Sequence, residues 1–273
     1  MATGQLIRGR FGLSGMPVLL YHGLTRSFAP NCPLRERKYW ISSGRFREHL
    51  ALIRRESGQV VRLGEFWNSS DLYKPQNLRV ALTFDDGNCS DYEIAFPLLL
   101  EAGYPAVFFI NTGTVGTRGF LNWQQIAEMQ RAGMSFQSHS HDHLYLSRLP
   151  IREIERQLKL SNTILADRLG VEVKFLAVPY GDLSPDILQV AMTTGYRAVC
   201  TSRSWPARPG MNLMNRVVVY SLTGQRAYER ILARSRLSYS IRAGKEAALF
   251  LTKQVLFRFL GAYPGAAVLE DPS

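Results

Sequence analysis

The sequence predicts an α/β fold of parallel strands with helices packed outside them. Short apolar, β-branched runs recur along the chain, and helical apolar periodicity fills the stretches between them. The polar motifs follow directly on strand ends, where parallel α/β folds gather functional residues. Strands are expected at 18–21, 60–63, 80–84, 106–110, 134–137, 174–178, 198–201 and 217–219. Phe46, Leu50 and Ile53 recur at helical spacing behind Ser42 and Ser43, which can cap a helix start. Trp123, Ile126 and Met129 repeat the pattern behind Asn122, and Ile154, Leu158 and Leu165 mark a longer helix that ends at Gly170. His49, after Arg47 and Glu48, reads as an exposed residue of the first helix. Periodicity alone leaves a barrel and a doubly wound sheet open.

The chemistry concentrates in two blocks, Thr83-Phe84-Asp85-Asp86-Gly87 and His139-Ser140-His141-Asp142-His143. The apolar run Val80-Ala81-Leu82 leads into two adjacent carboxylates, a buried strand ending at a polar mouth. Successive side chains of a strand point to opposite sides, so Asp85 and Asp86 can differ in role, one binding a cation while the other handles protons. His139 and His143 lie four apart, a spacing that brings both imidazoles to one side of a helical turn or tight loop. With one aspartate they offer two nitrogens and an oxygen to a tetrahedral metal, leaving a position open for water. His141 and Asp142, between the histidines, are expected to face solvent or to support the ligands from behind.

These blocks, followed by Pro179-Tyr180-Gly181 and preceded by Pro17-Val18-Leu19-Leu20-Tyr21-His22, resemble the polysaccharide deacetylases, the NodB-like domains of carbohydrate esterase family 4, in the branch linked to exopolysaccharide synthesis. The resemblance runs from about Met16 to about Tyr220. It implies a distorted (β/α)7 barrel, with Asp86, His139 and His143 as metal ligands and Asp85 as base. It also implies a divalent metal, zinc first and cobalt or nickel as alternatives, and the Tyr180 backbone N–H as oxyanion donor. The expected reaction is hydrolysis of N-acetyl groups on the amino sugars of a glycan or a lipid-linked precursor. Two readings stand beside it: an O-acetyl esterase or a deformylase on a lipid-linked sugar, and a non-catalytic carbohydrate-binding relative.

Several positions depart from the family pattern. Many relatives carry a late histidine as general acid, but no histidine follows His143 here. His22, ending the first strand on the same rim, is by elimination the candidate acid, and the Tyr-His branch resembles this arrangement. The family's Arg-x-Pro-Tyr-Gly motif has Ala177 at its arginine position, so another cation must hold Asp85. Arg216, in Asn215-Arg216-Val217, matches an arginine common at that place in the branch. Asn88 stands where many relatives have an aromatic residue, the late Asp-x-x-Asp-Trp pattern is missing, and Trp205 is left as a groove-lining candidate.

The chain of 273 residues is 46% hydrophobic, enough for one large core, and 1–273 reads as a single domain. Within it the barrel spans 16–222 and a basic amphipathic helical extension spans 225–262. Residues 1–15 show no secretory signal pattern, and no apolar run is long enough to span a membrane. Cys32, Cys89 and Cys200 are odd in number and widely spaced, which argues against a disulfide framework and for a reducing, cytoplasmic setting. The net charge is +11, and 225–261 holds eight basic residues against two acidic ones. No nucleic-acid motif accompanies that charge. The extension, which also carries Leu249, Phe250, Val255, Leu256, Phe257, Phe259 and Leu260, reads either as a helix packed on the barrel or as a peripheral contact with the inner face of a membrane.

Overall fold

The computed structural model describes residues 12–27, 37–56, 58–69 and 78–260, with the side chains at 250 and 253–260 left out. Residues 1–11, Cys32 and the apolar side chains of the extension from Val255 onward therefore lie outside the described residues, as does that of Phe250.

Among the described residues there are eleven strands: β1 (Val18–Tyr21), β2 (Leu24–Thr25), β3 (Ile41–Ser42), β4 (Gln59–Val60), β5 (Arg79–Asp86), β6 (Val107–Ile110), β7 (Ser135–Ser138), β8 (Phe175–Ala177), β9 (Ala198–Cys200), β10 (Leu213–Met214) and β11 (Val217–Val218). The main sheet runs β10-β9-β8-β7-β6-β5-β1-β11, all parallel, with β4 added at the start of β5. Its two edges are successive pieces of one stretch: 213–214 pairs with Val199 and Cys200 of β9, and 217–218 pairs with Leu19 and Leu20 of β1. Residues 213–218 thus draw the edges together, giving the distorted seven-position (β/α) barrel. Arg216 sits at the seam.

Alternation along the strands separates two cores. Leu19, Tyr21, Val80, Leu82, Phe84, Phe108, Ile110 and Phe136 pack outward under the helices. Val18, Ala81, Val107, Phe109, Phe175, Ala177, Ala198 and Cys200 pack together on the other face, inside the ring. Asp85 shares the face of Ala81 and Thr83. Alanines at 81, 177 and 198 keep that interior roomy enough for a long side chain.

The helices follow their sequence signals. Ser42 accepts from the Arg45 N–H at the head of helix Ser43–Arg55, whose Phe46, Leu50 and Ile53 are buried. Asn122 and Gln125 form a reciprocal capping box on Trp123–Arg131. Ile151–Leu169 ends on Gly170 at φ 63°, a left-handed position that suits glycine. The strand expected at 60–63 is shorter: β4 stops at Val60, and Leu63 opens the helix Leu63–Trp67.

The extension forms two helices, Gln225–Leu232 and Arg236–Leu260. Tyr228, Ile231, Leu232 and Tyr239 join the outer core. Arg242 donates to the Val218 carbonyl at 3.2 Å, and Glu246 accepts from the Ser204 N–H at 2.7 Å. The extension packs on the barrel, while Leu237, Ile241, Leu249 and Leu251 stay exposed. Among the described residues no helix is long and apolar enough to cross a membrane.

His49 corrects the sequence expectation, because it is fully buried. Its ring stacks on Tyr228 at 3.9 Å, and Nδ1 pairs with the Tyr21 hydroxyl at 3.2 Å. Burial, with Arg45 adding to it, lowers its pKa to about 4. Above pH 6.5 it is neutral whether folded or unfolded. As pH falls from 6.5 toward 4 only the unfolded chain takes up the proton, so stability is lost across that window, by about 3 kcal/mol. Urea unfolding at pH 7 and pH 4.5 should therefore show a smaller acid loss in His49→Phe than in the native protein. Equal losses would contradict this role.

Candidate active site

The strand ends deliver the carboxylates in opposite senses. Asp85 points into the barrel and is 3% exposed, whereas Asp86, the last residue of β5, adopts φ 80° and turns toward the mouth. A non-glycine residue in this left-handed region costs about 1–2 kcal/mol, and aspartate bears it better than most. Gly87 follows at φ 72°, where an added Cβ would lie 3.0 Å from the Ile110 side chain.

The histidines come from a tight loop after β7 rather than from a helix. His139 N–H donates to the Ile110 carbonyl at 2.8 Å, while Ser140 and His143 take positive φ values of 65° and 54° and fold the chain back. Asp142 secures the loop: its N–H donates to Gln157 Oε1 at 2.8 Å, and its carboxylate accepts from Gln157 Nε2 at 2.6 Å. His141 points elsewhere and pairs through Nδ1 with the Thr112 hydroxyl at 2.8 Å.

Asp86 Oδ1 lies 3.4 Å from Nε2 of both His139 and His143. Zinc bonds of about 2.0–2.1 Å to a tetrahedral ligand set would put neighbouring ligand atoms about 3.4 Å apart. The three residues thus offer a clustered two-nitrogen, one-oxygen donor set that fits a divalent metal. His139 Nδ1–H donates to the Ala177 carbonyl at 2.8 Å, which fixes the proton there and leaves the Nε2 lone pair for a cation. Ala177, at the position of the family's arginine, contributes through its backbone.

Arg216 is the largest fully buried side chain of the protein's described part. It grips Asp85 through two bonds, Nη1 to Oδ1 at 2.6 Å and Nη2 to Oδ2 at 2.8 Å, and Nε donates to the Thr201 carbonyl at 3.2 Å. Its guanidinium lies over the Phe109 ring at 4.9 Å. Burial opposes the charge on Asp85, but Arg216 and His139 outweigh it and hold the carboxyl below its usual range. Burial likewise opposes charge on Asp86, where the adjoining imidazoles of His139 and His143 prevail and keep it well below that range. Both aspartates are ionised at neutral pH.

His22 lies just past β1, its ring 4.9 Å from that of Tyr39. Burial lowers its pKa, while the charges of Asp86 and Asp85 pull it back up. Tyr180 occupies a turn at φ 60°, with Gly181 at φ 66°. The Tyr180 ring lies 4.6 Å from His143 and stacks on Tyr145 at 3.8 Å and 8°. Such a stacked pair contributes about 0.5–1.5 kcal/mol beyond its buried area, comparable to the strain of a left-handed tyrosine. Trp205 packs near Tyr239 instead, with 6.3 Å between ring centres.

Residues 73–199 match the family model for polysaccharide deacetylase. The protein YxkH of Bacillus subtilis (strain 168) is 26% identical over 208 residues, covering 75% of this chain and 71% of YxkH. The poly-beta-1,6-N-acetyl-D-glucosamine N-deacetylase of Staphylococcus aureus (strain MRSA252) is 29% identical over 175 residues, 59% of this chain and 60% of that protein's length. The structure of IcaB from Ammonifex degensii superposes with TM-score 0.70 at 26% identity, covering 84% of this chain and 98% of IcaB. By these matches the chain carries a polysaccharide deacetylase domain. It is a carbon–nitrogen hydrolase of the carbohydrate esterase family 4 type.

For a polysaccharide deacetylase, two features here have no signal in the motifs. Tyr145 meets the site through its stack on Tyr180. Asp91, in the π-helical turn Asp91–Ala95, is fully buried. Its burial, then the charges of Asp86 and Asp85, push its carboxyl well above the usual range. Closeness in sequence to Asp86 was the one hint available.

Proposed function

We propose that the protein removes N-acetyl groups from N-acetylglucosamine units of a glycan, using a divalent metal held by Asp86, His139 and His143. The observation that carries the reading is the division of labour between adjacent aspartates: Asp86 faces both histidines at 3.4 Å while Asp85 is clamped separately by Arg216. The S. aureus relative is described as acting on poly-beta-1,6-N-acetyl-D-glucosamine, which supports that class of substrate.

When bound, a zinc-type ion supplies Lewis-acid stabilisation for charge developing on the acyl oxygen. Asp85 takes the proton from the attacking water, and Arg216 keeps it ionised and correctly turned. The Tyr180 N–H donates to the oxyanion. His22 gives a proton to the departing amine. The intact Asp85, Asp86, His139 and His143 oppose a purely carbohydrate-binding reading. Mass analysis of products separates N-acetyl from O-acetyl or formyl removal, since loss of acetate from nitrogen leaves a free amine. A lipid-linked precursor as substrate, and peripheral membrane contact through exposed Leu237, Ile241 and Leu251, extend the same proposal.

His22→Ala tests the acid. A positioned acid contributes about a hundred- to ten-thousand-fold, so turnover on an N-acetyl sugar should fall by that factor with metal content unchanged. An aryl ester with an activated phenolate leaving group needs no such proton and should lose far less. Equal losses on both substrates would reassign His22 to structure or binding.

A further inference from the structure

Residues 145–148, which begin two positions past His143, hold the turn that carries Tyr180 from two sides. Leu146 is fully buried and anchors the short 3-10 turn Leu146–Arg148. To one side of it, the Tyr145 ring lies flat on Tyr180, 3.8 Å away, with the Arg148 guanidinium 5.2 Å from the Tyr145 ring centre. To the other, the Ser147 hydroxyl donates to the carboxylate of Asp182. Between these grips the backbone at Tyr180 sits at φ 60°, ψ 3°, a conformation that L-residues seldom hold without support. The direction of the Tyr180 N–H depends on that conformation. Tyr180 is 45% exposed, and its ring centre also lies 4.6 Å from that of His143, so one ladder of flat groups ties a metal ligand to the oxyanion turn.

We propose that Tyr145 is a positioning residue, whose stacked ring holds Tyr180 in the left-handed conformation and so aims its N–H at the oxyanion. The inference rests on the deacetylase reading for its chemistry, though not for its geometry. Relaxation of Tyr180 toward negative φ would swing the N–H away without disturbing Asp86, His139 or His143. Misplacement of this kind costs less than outright loss of a donor, which lowers kcat by about a hundred- to a thousandfold.

The test uses the full chain loaded with zinc, an N-acetylglucosamine oligomer as substrate, and the variants Tyr145→Ala and Tyr145→Phe. Tyr145→Ala should lower kcat by about ten- to a hundredfold, with KM within about twofold and zinc content unchanged. Tyr145→Phe, which keeps the ring, should stay within about twofold of the native rate. Hydrogen exchange reads the same clamp without substrate: the Tyr180 amide should exchange at least about tenfold faster in Tyr145→Ala, while amides of β8 keep their rates. An unchanged kcat in Tyr145→Ala, or an unchanged Tyr180 exchange rate, would overturn the inference. If the native protein hydrolyses no N-acetyl group, the deacetylase reading falls, and the exchange arm still decides the clamp.

Discussion

Asp85→Asn should retain its metal and lower turnover by about a hundred- to ten-thousand-fold, the usual contribution of a positioned base. The amide keeps the size of the side chain but cannot take a proton from water. Asp86→Asn should differ in kind. Asp86 Oδ1 is the oxygen facing both imidazoles at 3.4 Å, so its replacement should release metal as well as abolish turnover. Metal content measured on both variants is the discriminating observation, and equal losses would show the two roles to be misassigned.

Removing the Arg216 side chain should be the most damaging change to stability. Arg216→Met leaves the carboxylate of Asp85 buried inside the barrel with its two guanidinium bonds gone. Breaking a buried pair from one side costs about 3–5 kcal/mol, because the remaining charge stays desolvated. Asp85→Asn strands the guanidinium in turn. The double variant Asp85→Asn/Arg216→Met should recover much of the stability lost by either single change while remaining inactive. Urea unfolding checks the first outcome and acetate release the second. Losses that simply add in the double variant would mean that the two side chains act independently.

The cluster of Asp86, His139 and His143 was legible in the sequence because its members sit in two short blocks, each closing a strand. The spacing of His139 and His143 left helix and loop open, and positive φ at Ser140 and His143 decides for the loop. The grip of Arg216 on Asp85 was reachable only through family resemblance. Its physical cause is the seam of the barrel, where 213–218 joins β9 to β1, a long-range feature without a local pattern. His49 was misread because its polarity was given more weight than its place on the helix. It lies three residues after Phe46 and four before Ile53, on the apolar stripe itself. Tyr145 had no signal, since its contact depends on how a turn after β8 meets a loop after β7.

Acetate release from an N-acetylglucosamine polymer by the native protein, followed through chelation and re-addition of zinc, tests the central claim most directly. The account predicts that release stops when the metal is removed, resumes when zinc returns, and leaves one free amine for each acetate. Release that continues undiminished in metal-free protein, or acetate appearing without new amines, would contradict it.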